Sequence, residues 1–188
     1  TWRALARPDP DDGTMPPHRR IDVVLDSVKR LQRIGASANL LNLLQKQHPA
    51  DLAEVFGELS DKDCRGALTL LLDHNSRLAM EALIEYGAEH SAALLADHSA
   101  DEIAVWLQDL PSDDAVALID ELPDALSAVV LEQMRPQASG DVENLLEYAE
   151  QTAGRIMNPT VFALSEDLTA GEAIGALQGS REVEMVFY

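Results

Sequence analysis

From residue 78 to residue 134 the chain carries thirteen Asp or Glu residues and not one Lys or Arg. Carboxylates gathered this way do one kind of chemistry well: they hold cations, and a hard divalent ion is the sharpest version of that. The imbalance is regional. Residues 1–77 hold 11 acidic and 11 basic residues, whereas residues 78–188 hold 22 acids against Arg135, Arg155 and Arg181, so the second part carries the whole formal charge of −19. Like charge at that density repels itself and strains a compact fold unless something offsets it. Leu, Ala, Val and Ile run through the same stretch at helical spacing, so the acids belong to a folded surface and not to a disordered tail.

Other chemistries fare worse. His18, His48, His74, His90 and His98 lack the i, i+4 pairing of a helical zinc site. The one cysteine, Cys64, excludes an internal disulfide, fits a reducing compartment and has no matched His to activate it. Gly154 and Gly171 are isolated and form no phosphate-cradling loop. An enzyme is not expected. Strong acidity argues against nucleic acid and against docking on anionic lipid. No apolar run approaches the roughly 18–20 residues a membrane span needs. The polar, Pro-rich start is no signal peptide, and the absence of an initiator Met and the end at Met185-Val-Phe-Tyr188 read as a fragment of something longer.

The elements that must position these acids are short helices. Hydrophobic content is 46% but aromatics only 4%, so the core is aliphatic, as in helical layers. Residues 1–17, with Pro8, Pro10, Pro16 and Pro17, read as a flexible leader. Ile21, Val24, Leu25, Val28 and Leu31 then follow i, i+3, i+4, i+7 spacing, with Gly35 as a stop. A second helix runs through Leu40–Leu44. From His48 the chain becomes helices of about 10–12 residues.

These helices repeat. His48-Pro-Ala-Asp-Leu-Ala-Glu-Val-Phe56 is echoed by His98-Ser-Ala-Asp-Glu-Ile-Ala-Val-Trp106, and Leu59-Ser-Asp-Lys-Asp63 by Leu110-Pro-Ser-Asp-Asp114. Self-similarity at such a period predicts stacked helices, a right-handed superhelical solenoid of about ten short helices over residues 18–150. Ser99 and Glu102 form a capping-box pattern, Gly87 is a helix stop, Pro111 and Pro123 suit a first helical turn, and Phe56 and Trp106 are core anchors. At Gln151 the pattern changes. A loop leads to a β-type run at Thr160–Leu164, a helix opened by Thr169 and Glu172, and a second strand at Val183–Tyr188, an incomplete β-α-β element over 151–188.

Thr152-Ala-Gly-Arg-Ile-Met-Asn-Pro159 with Phe162–Ile174 resembles the opening of a CBS domain, in the form found in MgtE-type magnesium transporters. His48-Pro-Ala-Asp-Leu-Ala-Glu54 is similar to the opening phrase of that family's acidic N domain. The final Glu182-Val-Glu-Met-Val-Phe-Tyr188 resembles its run into a later CBS strand. The resemblance spans about residues 20–188.

It implies a regulatory piece on the cytoplasmic face of the cell membrane, whose partners are the rest of its own chain: a CBS pair, a connecting helix and a transmembrane pore, dimeric in the full-length protein. Magnesium ions between the N and CBS domains would favour the closed state. By the same resemblance Asp101 matches an acid that contributes to interdomain magnesium, and Glu81 matches another. The acid one turn after Asp101 is replaced by Val105, which would weaken the site or shift it to Asp97, with Glu102 adjacent. Asp101 and Glu102 also suit a first helical turn, where acids gain about 0.3–1 kcal/mol from the helix dipole. Magnesium keeps several waters and needs one or two carboxylates per ion, which suits dispersed acids facing a second surface. The rival reading is an acidic helical scaffold for a basic partner helix, with a CBS nucleotide-sensing module.

Overall fold

The structure, a computed structural model, describes residues 17–159 and 163–179. Its first helices follow the apolar spacing. α1 (Pro17–Arg33) buries Val24 and Val28, and the chain turns at Gly35, whose φ of +69° is left-handed backbone that glycine adopts without strain. α2 (Ser37–Leu44) buries Leu40 and Leu44. Before α3 (Pro49–Glu58) the His48 side chain accepts from the Ala50 amide at 3.3 Å, and Pro49 occupies a first-turn position where its missing N–H costs nothing.

α4 (Asp61–Tyr86) is capped by Ser60, whose hydroxyl accepts from the Asp63 amide. It is two helices in one. Asn75 leaves helical geometry (φ −154°, ψ 70°), and its Oδ1 accepts from the Leu78 amide at 3.2 Å, as an N-cap would. Gly87, at φ +99°, closes α4 and opens α5 (Ala88–Leu95). Then come α6 (Ala100–Leu107), α7 (Ser112–Glu121), α8 (Asp124–Gln133), α9 (Pro136–Leu146) and, after an irregular stretch, α10 (Ala170–Gly179).

With α4 divided at Asn75, ten helical segments lie between residues 17 and 146, the number expected, although α5 and α6 are only eight residues long. Pro111 and Pro123 stand one place earlier than expected. Both are N-cap residues in extended geometry, so the first turns behind them begin with Ser112 and Asp124.

From α5 to α9 the helices stack two places along, α5 on α7, α6 on α8 and α7 on α9, while earlier neighbours also meet directly, α1 on α2 and α3 along α4. That stacking is how elements too short to be stable alone in water bury their apolar faces. The core is aliphatic as composition requires. Among the described residues Phe56 is the only aromatic in the set of largest fully buried side chains, beside Leu52, Leu68, Leu83, Leu107 and Leu118. Trp106 differs from its repeat counterpart: it is half-buried, edge-on to the His98 ring at 5.0 Å. Ser91 is the one buried polar residue described, and its hydroxyl donates to the Leu83 carbonyl at 2.6 Å, so it is satisfied.

The tail is only partly described. Thr169 and Glu172 form the expected capping box, and α10 follows it. No strand occurs among the described residues. Of the run expected at Thr160–Leu164, residues 160–162 lie outside the described residues, and Ala163 and Leu164 are not in a strand. The expected strand at Val183–Tyr188 also lies outside them. No described helix is long and apolar enough to cross a membrane.

Candidate functional site

The α5–α6 corner carries three of the four candidate acids. Asp101 sits in the first turn of α6, exposed, and makes no hydrogen bond or ion pair among the described residues. Glu102, its neighbour, is engaged in capping through one of its oxygens. One carboxylate oxygen, Oε2, accepts from the Ser99 amide at 3.0 Å and from the Ser99 hydroxyl at 2.7 Å, and the Ser99 side chain in turn caps the Glu102 amide. The Ser99 hydroxyl, and after it the Ser99 amide, hold this carboxyl below its usual range. Asp97, in the turn before α6, is ion-paired with Arg65 of α4. One turn on from Asp101 on the same helix face stands Val105, 56% exposed, so α6 offers no second carboxylate to share an ion with Asp101.

Glu81 lies elsewhere. It projects from the second half of α4 and accepts from Arg77 Nε at 2.9 Å, an i, i+4 pair on the exposed face. Here it helps line a groove of about 900 Å³ between α4, the α6–α7 turn and α9. Met80, Ile84, Leu107 and Val142 contribute apolar wall, and Glu85, Asp109, Asp114 and Asp141 contribute carboxylates. Asp109 is bonded to Arg135 Nη2 at 2.6 Å. Asp114 is half-buried, and burial first, then the charges of Asp113 and Glu85, push its carboxyl above the usual range. The neighbouring Asp113 keeps Oδ1 buried without a hydrogen-bond partner.

The structure therefore separates the predicted acids into a corner (Asp97, Asp101, Glu102) and a groove (Glu81). Among the described residues no three His, Cys, Asp or Glu side chains come together as a metal cage. The donor set fits a hydrated ion held by one carboxylate against an opposing surface, not a self-contained site. Nothing in the sequence spacing shows that Asp114 of α7 faces Glu85 of α4. Their tertiary relation leaves no mark on local spacing; only the doubled acid after Pro111 hinted at it.

Comparison with known proteins agrees with this reading of the fold. No curated protein matches the chain. The chain is similar to a solved structure described as the soluble part of a magnesium transporter, at a TM-score of 0.70 and 18% identity. That match takes in 84% of this chain but only 61% of the other, so the chain spans less than two thirds of that relative. Residues 47–151 match the model of the MgtE intracellular N domain. More than half of the sequence falls within that match, and the chain belongs to the MgtE intracellular N domain family.

Proposed function

We propose that this chain is the cytosolic regulatory part of a magnesium transporter, in which the acidic helical solenoid senses magnesium and the element after residue 151 begins a CBS domain. The observation that carries the reading is Asp101. Of the four candidate acids it alone stands without a partner among the described residues, at the N-terminal end of a helix, on a chain of net charge −19.

A hydrated magnesium ion needs one such carboxylate from this side and oxygens from the facing domain. With the ion present, the two acidic surfaces attract through it. Without it their carboxylates repel, and the equilibrium shifts toward separation. The shift is limited to the ion's differential affinity for the closed state, about 1.4 kcal/mol for each tenfold preference. In this reading the opposing oxygens, the pore and the dimer partner belong to the rest of the full-length protein.

A thermal melt of the full-length protein across a magnesium titration tests the proposal, with sodium chloride matched for ionic strength and calcium alongside. A saturable rise with magnesium that Asp101→Ala abolishes is the expected result. A rise that sodium chloride reproduces in full refutes a specific site within this chain.

The groove supports a second reading. Its carboxylates above an apolar wall suit a basic amphipathic helix, which would make the solenoid a docking scaffold. On that reading the melt is indifferent to magnesium beyond ionic strength.

A further inference from the structure

Thr152-Ala-Gly-Arg155 follows the last solenoid helix and would be expected to swing freely as a linker, given its small and polar residues. It is folded back instead. The Arg155 side chain is only 11% exposed, and its guanidinium is bonded on every nitrogen. Nε donates to Asp120 Oδ2 at 3.0 Å and Nη2 to Asp120 Oδ1 at 2.6 Å, a two-pronged grip on α7. Nη1 donates to the carbonyls of Leu145 and Tyr148, each at 3.3 Å, at the end of α9. One cation thus ties two stacked helices to the segment beyond them. It also lies at the negative end of α9, where a positive charge is favoured.

The backbone around Arg155 is built for that position. Gln151 takes a left-handed φ of 61° to reverse the chain. The Thr152 hydroxyl donates to the Ala149 carbonyl at 2.7 Å, and the Arg155 amide to the Thr152 carbonyl at 3.1 Å. Gly154 lies against the Tyr148 ring: a Cβ there would stand 2.4 Å from Cδ1 of that ring, so a side chain would have to displace the ring or the turn.

We infer that Arg155 is a positioning residue, which locks residues 151–157 to α7 and α9 and makes the exit from the solenoid a rigid extension of it. A lysine cannot take its place, because a single ammonium does not grip both carboxylate oxygens and reach two carbonyls. What the rigid exit does rests on the sensing proposal: any separation of the solenoid from the following domain would have to pivot beyond residue 157 and not within the turn.

The test needs no magnesium, so its failure is distinct from failure of the sensing proposal. Hydrogen exchange is followed on the whole chain and on Arg155→Ala, Arg155→Lys and Asp120→Asn. All three substitutions are expected to speed exchange at Thr152 and Arg155 about tenfold while leaving α3 and the first half of α4 unchanged. Unchanged protection at the turn overturns the assignment. So does protection lost evenly through the solenoid, because that marks a residue of general stability and not of position.

A spin-label distance between Val129→Cys and Ile156→Cys, both exposed positions, in a Cys64→Ala background, reads the locked turn directly. A single narrow distribution that broadens with Arg155→Ala is expected. A distribution already broad with Arg155 intact overturns the rigid exit.

Discussion

Asp114 shows how a single carboxylate reports its surroundings. It stands in the first turn of α7, where the helix dipole favours its charge by about 0.3–1 kcal/mol. Burial and the nearby charges of Asp113 and Glu85 act the other way and prevail, so its carboxyl is raised. A raised carboxyl binds its proton more tightly in the folded chain than in the unfolded one. Its stabilising contribution is present in full below the unfolded value of 3.8 and is lost as pH rises through the folded value. At neutral pH the ionised group is therefore a local burden. Asp114→Asn is expected to raise the urea midpoint at pH 7 with an unchanged slope, and the gain should shrink toward pH 4. Cys64 follows the same sign in another range. Burial pushes its thiol up to about 11 from 9.0, so stability falls as pH climbs between those values, and the native thiol should resist alkylation at pH 8. Residues whose partners lie three positions away were legible in the sequence: Ser99 with Glu102 and Thr169 with Glu172 form the boxes their spacing implies. The Asp114–Glu85 coupling was not, because it joins α7 to α4 and no local pattern encodes which helices meet.

Helices read well where a strong breaker marks the end. Gly35 and Gly87 stop their helices in left-handed or related backbone, as expected of glycine. The break inside α4 escaped notice because Asn75 is a mild breaker set among residues that favour helix. It works by capping: with its Oδ1 on the Leu78 amide it starts a new helix in mid-run. Asn75→Ala removes that bond and is expected to cost about 1 kcal/mol, while Asn75→Asp, with the same reach, should cost little; thermal denaturation distinguishes them. The internal repeat was similarly informative in part. It aligned Phe56 with Trp106, but the two are not equivalent in the fold, since Phe56 is 1% exposed and meets Tyr86 edge-on at 6.4 Å whereas Trp106 is half-buried. Phe56→Ala should cost about 3–5 kcal/mol and Trp106→Ala roughly half as much, in proportion to the area each removes from water.

At the scale of the molecule the charge distribution governs the response to ions. Repeat spacing made a helical stack legible, yet the two-apart packing of α5 on α7 and α7 on α9, and the groove this leaves beside α4, arise from how whole helices nest. Within that stack the acidic part has two arginines among its described residues, and both are engaged between helices. Arg135, at the start of α9, reaches Asp109 and the Gln108 carbonyl beyond α6, and Arg155 holds Asp120. Neither is left to screen the surface. Salt acts on two opposed terms here, weakening attractive pairs and also the mutual repulsion of the acids. The pairs Arg65–Asp97, Arg77–Glu81 and Arg135–Asp109 are all exposed, and exposed pairs are worth about 0–1 kcal/mol each. Against them stands the repulsion of a net charge of −19 confined to residues 78–188. Repulsion should dominate, so the melting temperature is expected to climb with sodium chloride until the screening length falls to about 8 Å, near physiological ionic strength. A melting temperature that falls over the same range would show that the ion pairs, and not the crowded carboxylates, control the fold. Against the salt curve, any added rise with magnesium at equal ionic strength measures site binding and not screening, and Asp101→Ala decides whether the α6 corner is that site.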